Sequence, residues 1–443
     1  MPANGCTAER EERVVAVAAV FASLSTPNYR RYFAGGLVSN CGNWMSRTAA
    51  TWLVLVELTR GDMTAIGLLS GLMFLPALLL SPLAGALADR LPKRRIMITA
   101  QTVSLANAAL LGALTLSHTI ELWHVFALTL VDGCAGALDS PARQAFVSEL
   151  VAPAHLSNAI GLNSASWNAA RLIGPGLAGV LIAGVGTGPV FLTTVAAYAV
   201  MVIMLARLDT SLLLRTAAPA REAGGVREGL RYVRGRPDLV ALLAVGFMMG
   251  NFAFNFAISN PAMSTMVFGK GPTEFGALGS LMGLGALGAA LLAAARTRPR
   301  LRYIVGAMAG YVVCQGASGV SPTFELFAAL QVPIGLCAIT AVVTANMLLQ
   351  TSLADEIRGR VMSLWMLALL GATPLVSPLV GWVGTVLGPR ATVQVGTLAI
   401  GATVVVFVAY VMAHDGVRLR LQLSARRPVV IVHPVSGPRV DSA

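Results

Sequence analysis

The chain has 443 residues, 56% of them hydrophobic and only 12% charged, with a mean hydropathy of +0.73. Soluble domains carry about a quarter charged residues, so too little polar surface remains to cover a globule. That excludes a soluble enzyme, a disordered chain and a secreted disulfide scaffold. The net charge of +12 flanks apolar runs, as a membrane-topology signal does, and calls for no nucleic-acid partner.

Residues 1–32 form a cytoplasmic N-terminal segment. Its apolar run Val14–Ala22 is short and follows Glu9, Glu11 and Glu12, whereas a signal peptide begins with basic residues. Apolar runs then predict six spans at 33–57, 65–88, 96–116, 122–143, 159–183 and 188–206, an N-terminal bundle over 33–206. A polar, arginine-rich linker covers 207–238. Within it, Leu230 and Val233 recur at helical spacing among Arg227, Arg231, Arg234 and Arg236. This reads equally as a basic amphipathic helix on an anionic leaflet and as a solvated linker. Six further spans follow at 239–267, 275–295, 303–320, 326–350, 361–387 and 391–413, a C-terminal bundle over 239–413. The tail, 414–443, contains Pro and Arg without periodicity and is expected to be disordered. The fold class is all-α: twelve transmembrane helices in two six-helix bundles, each span close to the roughly 20 residues a crossing needs.

Arg60, Lys270 and Arg390 are the only basic residues in the alternate loops, and Arg47 and Arg171 the only ones well inside spans. All other Lys and Arg lie at the N-terminus, in every second loop, in the linker or in the tail. Both termini are therefore expected on the cytoplasmic side of a bacterial inner membrane. The five cysteines fit neither a disulfide framework nor a zinc pattern. His118 and His124 read as interfacial residues, and Gly269-Lys270-Gly271 lacks phosphate-loop spacing. With no catalytic constellation, the sequence implies neither enzyme chemistry nor a cofactor.

A faint internal repeat places Ala170–Ala178 of span 5 on Thr373–Gly381 of span 11, with Gly174-Pro175 over Ser377-Pro378. Duplicated six-helix units give this correspondence. Ionisable residues at membrane depth are functional candidates because burying a charge there is costly. Three stand out: Arg47 in span 1, Asp132 in span 4 and Arg171 in span 5. Helical spacing puts Asn40, Asn43 and Arg47 on one face, Asp132, Gly136, Asp139 and Arg143 on a second, and Asn163, Trp167 and Arg171, bordered by Asn168, on a third. The charges serve either a coupling or anion-binding role or a structural ion pair. The six C-terminal spans, as drawn, contain no Asp, Glu, Lys, Arg or His. Span 7 instead carries Asn251 and Asn255 on one face, with Phe247, Phe252, Phe254 and Phe256, and Asn260 further on. These side chains fit either an apolar cavity wall or packing and hydrogen bonding between helices.

Gly85-Ala-Leu-Ala-Asp89-Arg90-Leu-Pro92-Lys93-Arg94-Arg95 ends span 2. It resembles the signature loop of the major facilitator superfamily, with Pro92 where the family usually has glycine. The resemblance implies a cytoplasmic gate formed by Gly85, Asp89, Arg90, Lys93, Arg94 and Arg143. Asp89 would lock against span 11 and stabilise the outward-facing state. Arg171-Leu-Ile-Gly174-Pro175-Gly176-Leu-Ala-Gly179 is similar to the superfamily's antiporter motif, in which Gly174, Pro175 and Gly179 are kept; Ala170 and Ala178 replace two glycines. Asn28–Met45, Ser140–Val151 and Asn158–Asn163 resemble the enterobactin-exporter-like branch. That branch implies spans 1 and 4 lining a central cavity bordered by span 5. It also implies export of a siderophore, drug or other amphiphilic small molecule through the lipid bilayer; with the antiporter-like motif and no ATP site, a proton-coupled antiporter, working as a monomer, is expected. The cavity and coupling set is then Asn43, Arg47, Asp132, Asp139, Asn168, Arg171, Asn251 and Asn255. Asp132 is the first choice for carrying the proton and Asp139 the second. The alternatives are an importer or facilitator on the same fold, and a receptor or scaffold without flux.

Overall fold

The computed structural model describes residues 21–214, 226–296, 299–414, 418–422 and 429–433. Within these, the side chains of Pro82, Asp89, Val226, Arg227, Ala294, Asp355, Glu356, residues 410–414 and both strands lie outside the description. The N-terminal run before residue 21 falls outside the described residues, and so does the side chain of the gate aspartate, Asp89.

The N-terminal half contains α1 (Pro27–Trp52), α2 (Met63–Arg90), α3 (Lys93–Leu116), α4 (Leu122–Leu150), α5 (Leu156–Val185) and α6 (Thr187–Ala206). The C-terminal half begins with α7, built from Pro237–Met248 and Phe256–Ala262 with π-helical turns at Met249–Ala253 and Met263–Val267. It continues with α8 (Pro272–Ala294), α9 (Leu301–Gly319) and α10 (Phe324–Thr351). Next come α11, in two pieces (Asp355–Leu370 and Thr373–Leu387), and α12 (Pro389–His414). A π-helical turn, Leu53–Leu58, also ends α1, so α1 and α7 both depart from α-helical winding at the same end. Among the described residues, ten helices are long and apolar enough to cross a membrane. The two long helices not counted among them are α1, with Arg30, Arg31, Asn40, Asn43 and Arg47, and the shorter α9, with Arg302 and Gln315.

The packing repeats with a six-helix period. In the first half α1 packs on α5 and α6, α2 on α4, and α3 on α4 and α6. In the second, α7 packs on α11 and α12, α8 on α10, and α9 on α10 and α12. The halves meet through α5 on α8 and α2 on α11, a pair of contacts that the same period exchanges. Helix ends are tied by cations, which favour the negative C-terminal dipole. Arg94 donates to the carbonyls of Leu205 and Ala206 at 2.7 and 2.8 Å, closing α6. Arg390 does the same for Gly319 and Ser321, at 2.8 and 2.9 Å, beyond α9.

The linker carries a helix, Val226–Arg234, and it docks on protein. Val233 is 3% exposed in the core of the C-terminal half while Leu230 remains 38% exposed. Glu228 pairs with Arg360 of α11 at 2.8 Å. Before it, the Asp209 carboxyl is held below its ordinary range by hydrogen bonds from the Ser211 hydroxyl and backbone N–H. In the tail, Arg418–Gln422 pairs antiparallel with Val429–His433. The β-branched run Val429-Val-Ile-Val432 suits a strand, a signal that a search for helical periodicity passes over.

Candidate functional site

The arginine-rich loops gather at one end of the bundle, the basic end; the other is the distal end. Among the described residues, the hydrogen bonds, aromatic contacts and close glycine approaches between the halves lie between the distal end and mid-depth. Glycines permit this seal. A Cβ at Gly179 would fall 2.4 Å from the Pro272 carbonyl oxygen and 3.0 Å from the Gly276 Cα. One at Gly381 would fall 2.3 Å from the Met63 carbonyl oxygen. Met63 and Pro272 are the first residues of α2 and α8, so Gly179 and Gly381 are equivalent, one residue away from the register the sequence suggested. Trp52 stacks on Phe275 at 6.0 Å, and the Thr385 hydroxyl joins Asp62 and Thr64 at 3.2 and 2.9 Å. One apolar cluster spans both halves at the distal end, whereas the clusters toward the basic end each belong to a single half. The apolar seal between the halves therefore lies at the distal end.

The deep charges gather at mid-depth, just inside the seal. The structure brings Arg47 and Arg171 to one aromatic ring. Their guanidinium carbons lie 5.5 and 5.7 Å from the Trp44 centroid, and Arg171 is also 5.5 Å from that of Phe256 in α7. Trp167 packs on Trp44 at 5.8 Å. Gly174 makes this possible: a Cβ there would fall 2.6 Å from the Trp44 Cβ. Gly176 and Gly179 instead face α8, and a Cβ at Gly279 or Gly276 would meet Pro175 at 2.7 or 2.4 Å. The antiporter-like segment is thus at once the back wall of the aromatic cluster and part of the seal.

The three deep charges do not form a salt bridge. Asp132 accepts from the Ser104 hydroxyl at 2.6 Å and acts on Arg47 only through space. Arg47 Nε, Asn43 Oδ1 and the Trp44 indole nitrogen are shut from solvent without a hydrogen-bond partner. The Asn43 amide donates to the Tyr198 hydroxyl at 3.3 Å. Asn168 donates to its own helix, to Ser164 O at 2.9 Å, and contributes nothing to the cluster. Asp139 is engaged by Arg143 at 2.8 Å, which makes it a structural ion-pair partner here. In the loop expected to act as a gate, Lys93 pairs with Glu149 at 2.5 Å, Arg94 closes α6, Arg90 is exposed and Gly85 lies in the last turns of α2.

Asn251 and Asn255 are buried between α7 and α11. Asn251 donates to Phe247 O and Ala368 O at 2.8 and 2.9 Å and accepts from the Thr373 hydroxyl at 3.1 Å. Asn255 accepts from the Ser377 hydroxyl at 3.3 Å. Their cost of burial is met by these bonds, so they hold α11 to α7. Sequence reasoning missed Trp44, Ser104 and Tyr198. The signal for Ser104 was its i, i+3 spacing with Gln101 on α3, whose side chain accepts from Ser39 of α1 at 2.9 Å.

Residues 18–429 match the model of the transmembrane secretion effector family. The chain is similar to the staphyloferrin A transporter of Staphylococcus aureus, at 23% identity over 89% of this chain and 98% of that one. It is also similar to the multidrug efflux pump Tap of Mycolicibacterium fortuitum, at 26% identity over 80% and 89%. Its fold is that of a bacterial homologue of the human lysosomal transporter Spinster in an inward-facing, unoccupied conformation (TM-score 0.68, 14% identity, 87% of this chain and 95% of that one). It is likewise that of the nucleoside transporter NupG (TM-score 0.63, 14% identity, 87% and 98%).

Proposed function

We propose a function from one premise: this chain belongs to the transmembrane secretion effector family of the major facilitator superfamily. It is a multi-pass membrane transporter of small molecules. Our reading is that it is a secondary exporter whose two halves rock about the Trp44 cluster, opening it to one side at a time. In this reading the basic end is cytoplasmic, as the positive-inside rule favours, and the described conformation faces inward to load cargo. The observation that carries this reading is the one-sided seal: glycine-to-backbone contacts close the distal half, while toward the basic end each half has its own core.

The energy source in this reading is the proton gradient across a bacterial inner membrane, with a monomer as the working unit. Asp132 suits proton exchange because it lies at depth with a hydroxyl partner and no ion pair, whereas Asp139 is tied to Arg143. The names of the staphyloferrin A and multidrug relatives support a siderophore, drug or similar amphiphile as cargo.

The test uses everted vesicles carrying the full chain and a panel of anionic, neutral and cationic fluorescent amphiphiles. Energised vesicles should accumulate at least one dye, a protonophore should abolish accumulation, and Asp132→Asn should remove its dependence on the gradient. Accumulation only in right-side-out vesicles would establish import instead, and no flux in either would establish a receptor or scaffold.

A further inference from the structure

Arg171 is a permanent cation at mid-depth with no anion to answer it. Among the described residues it enters no ion pair, and no carboxylate acts on it. Arg47 is in a similar position: its Nε has no partner, and Asp132 influences it only through space. A charge at membrane depth is expensive unless something compensates it. Two such cations gathered on one ring just inside the distal seal call for an anion from outside the chain.

The surroundings define what that anion is attached to. The Trp44 indole N–H is a buried donor without a partner. Trp167, 41% exposed, sits one helical turn from Arg171 toward the basic end and packs on Trp44. Phe256, stacked edge-to-face with Phe254 at 6.1 Å, forms the wall from the other half. The spans of that half bring no charge to this depth. A planar guanidinium fork matches a carboxylate geometrically, and the rings match an aromatic or apolar body.

We propose that this cluster binds the carboxylate of an amphiphilic cargo. Arg171, Arg47 and the Trp44 N–H take the anion, and Trp167 and Phe256 take the apolar body. The proposal rests on the alternating-access reading for its route of entry and deepens it by naming the cargo class.

The test is equilibrium dialysis of the full chain in lipid nanodiscs against 2-naphthoate and its neutral isostere 2-naphthamide. No gradient is applied, so the direction of transport does not enter. The wild type should bind naphthoate at least about tenfold more tightly than naphthamide, as a charge-assisted hydrogen bond gives. Arg171→Gln should remove that preference while leaving naphthamide within about twofold. Arg171→Lys, which keeps charge without the fork, should retain part of it and serves as the reading if the glutamine variant does not fold. Equal binding of the two probes, binding of neither, or parallel loss of both in a folded Arg171 variant overturns the proposal. An intact preference beside failed vesicle export would sink the export reading and leave this site standing; export of neutral dyes without the preference would sink this site alone.

Discussion

The distal seal should be breakable by a single side chain. At Gly179 a Cβ would lie 2.4 Å from the Pro272 carbonyl oxygen and 3.0 Å from the Gly276 Cα. Ordinary carbon–oxygen contact is nearer about 3.3 Å or more, and both obstacles are backbone, so no rotamer change relieves the clash. Gly179→Val must push α5 from α8 at the distal end, the place where an outward-facing state parts them. Overpacking of this kind costs about 1–3 kcal/mol, which shifts a two-state equilibrium by roughly 5- to 150-fold. Spin labels on a cysteine-free background at His118 and Val320, both exposed in distal loops, and at Ala152 and Ser352, both exposed at the basic end, would report the change by double electron–electron resonance. The distal pair should lengthen and the basic pair shorten in Gly179→Val. Gly184→Ala, where an added Cβ meets nothing within 4 Å, should leave both unchanged. Unaltered distance distributions in a folded Gly179→Val protein would refute the claim that this glycine contact sets the conformation.

Asn251→Leu removes two donated bonds and one accepted bond, two of the three to α11. It should cost about 1–3 kcal/mol, seen as a lower melting temperature in detergent with probe preference unchanged. Val233→Asp places a charge in the dock of the linker helix and should speed tryptic cleavage there at least about tenfold by freeing the helix. Leu230→Asp, at a half-open position, should leave cleavage near the wild-type rate.

The twelve helices were legible because each apolar run is long enough to cross a bilayer and is punctuated by charge, Gly or Pro. Their ends were less so: Pro27 starts α1 well before the apolar run begins, as proline at a first helical turn does. The breaks in α7 and α11 had no apolar signature. Arg47, Asp132 and Arg171 were visible as charges at depth, but a sequence gives no separations. That Asp132 turns to Ser104 while the arginines share Trp44 depends on how α1, α3, α4 and α5 pack. Asn251 and Asn255 looked like cavity polar groups because a face shared on one helix does not reveal which neighbour covers it. The stripe Gly276, Gly279 and Gly283, which admits α5 to α8, was present in the sequence as a small-residue pattern without an indication of its partner.

The proposed anion site and the coupling role proposed for Asp132 make opposing demands, which yields a signed prediction. Ionised Asp132 offsets part of the positive charge at Arg47 that would otherwise hold a cargo anion. Removing that negative charge by Asp132→Asn should therefore tighten 2-naphthoate binding. Coupling between neighbouring sites is worth about 1–2 kcal/mol, a factor of about five to thirty, and that is the gain expected, with naphthamide unaffected. With that sign, proton and cargo do not compete for the empty cluster. Exchange must then be enforced at the rocking step, where the form carrying both is unable to turn. If Asp132→Asn instead weakens the anion probe, the ionised carboxylate is holding Arg47 in place to receive it. Coupling would then be direct competition within the cluster, and the orientation of Arg47, more than the sum of nearby charges, would govern anion affinity.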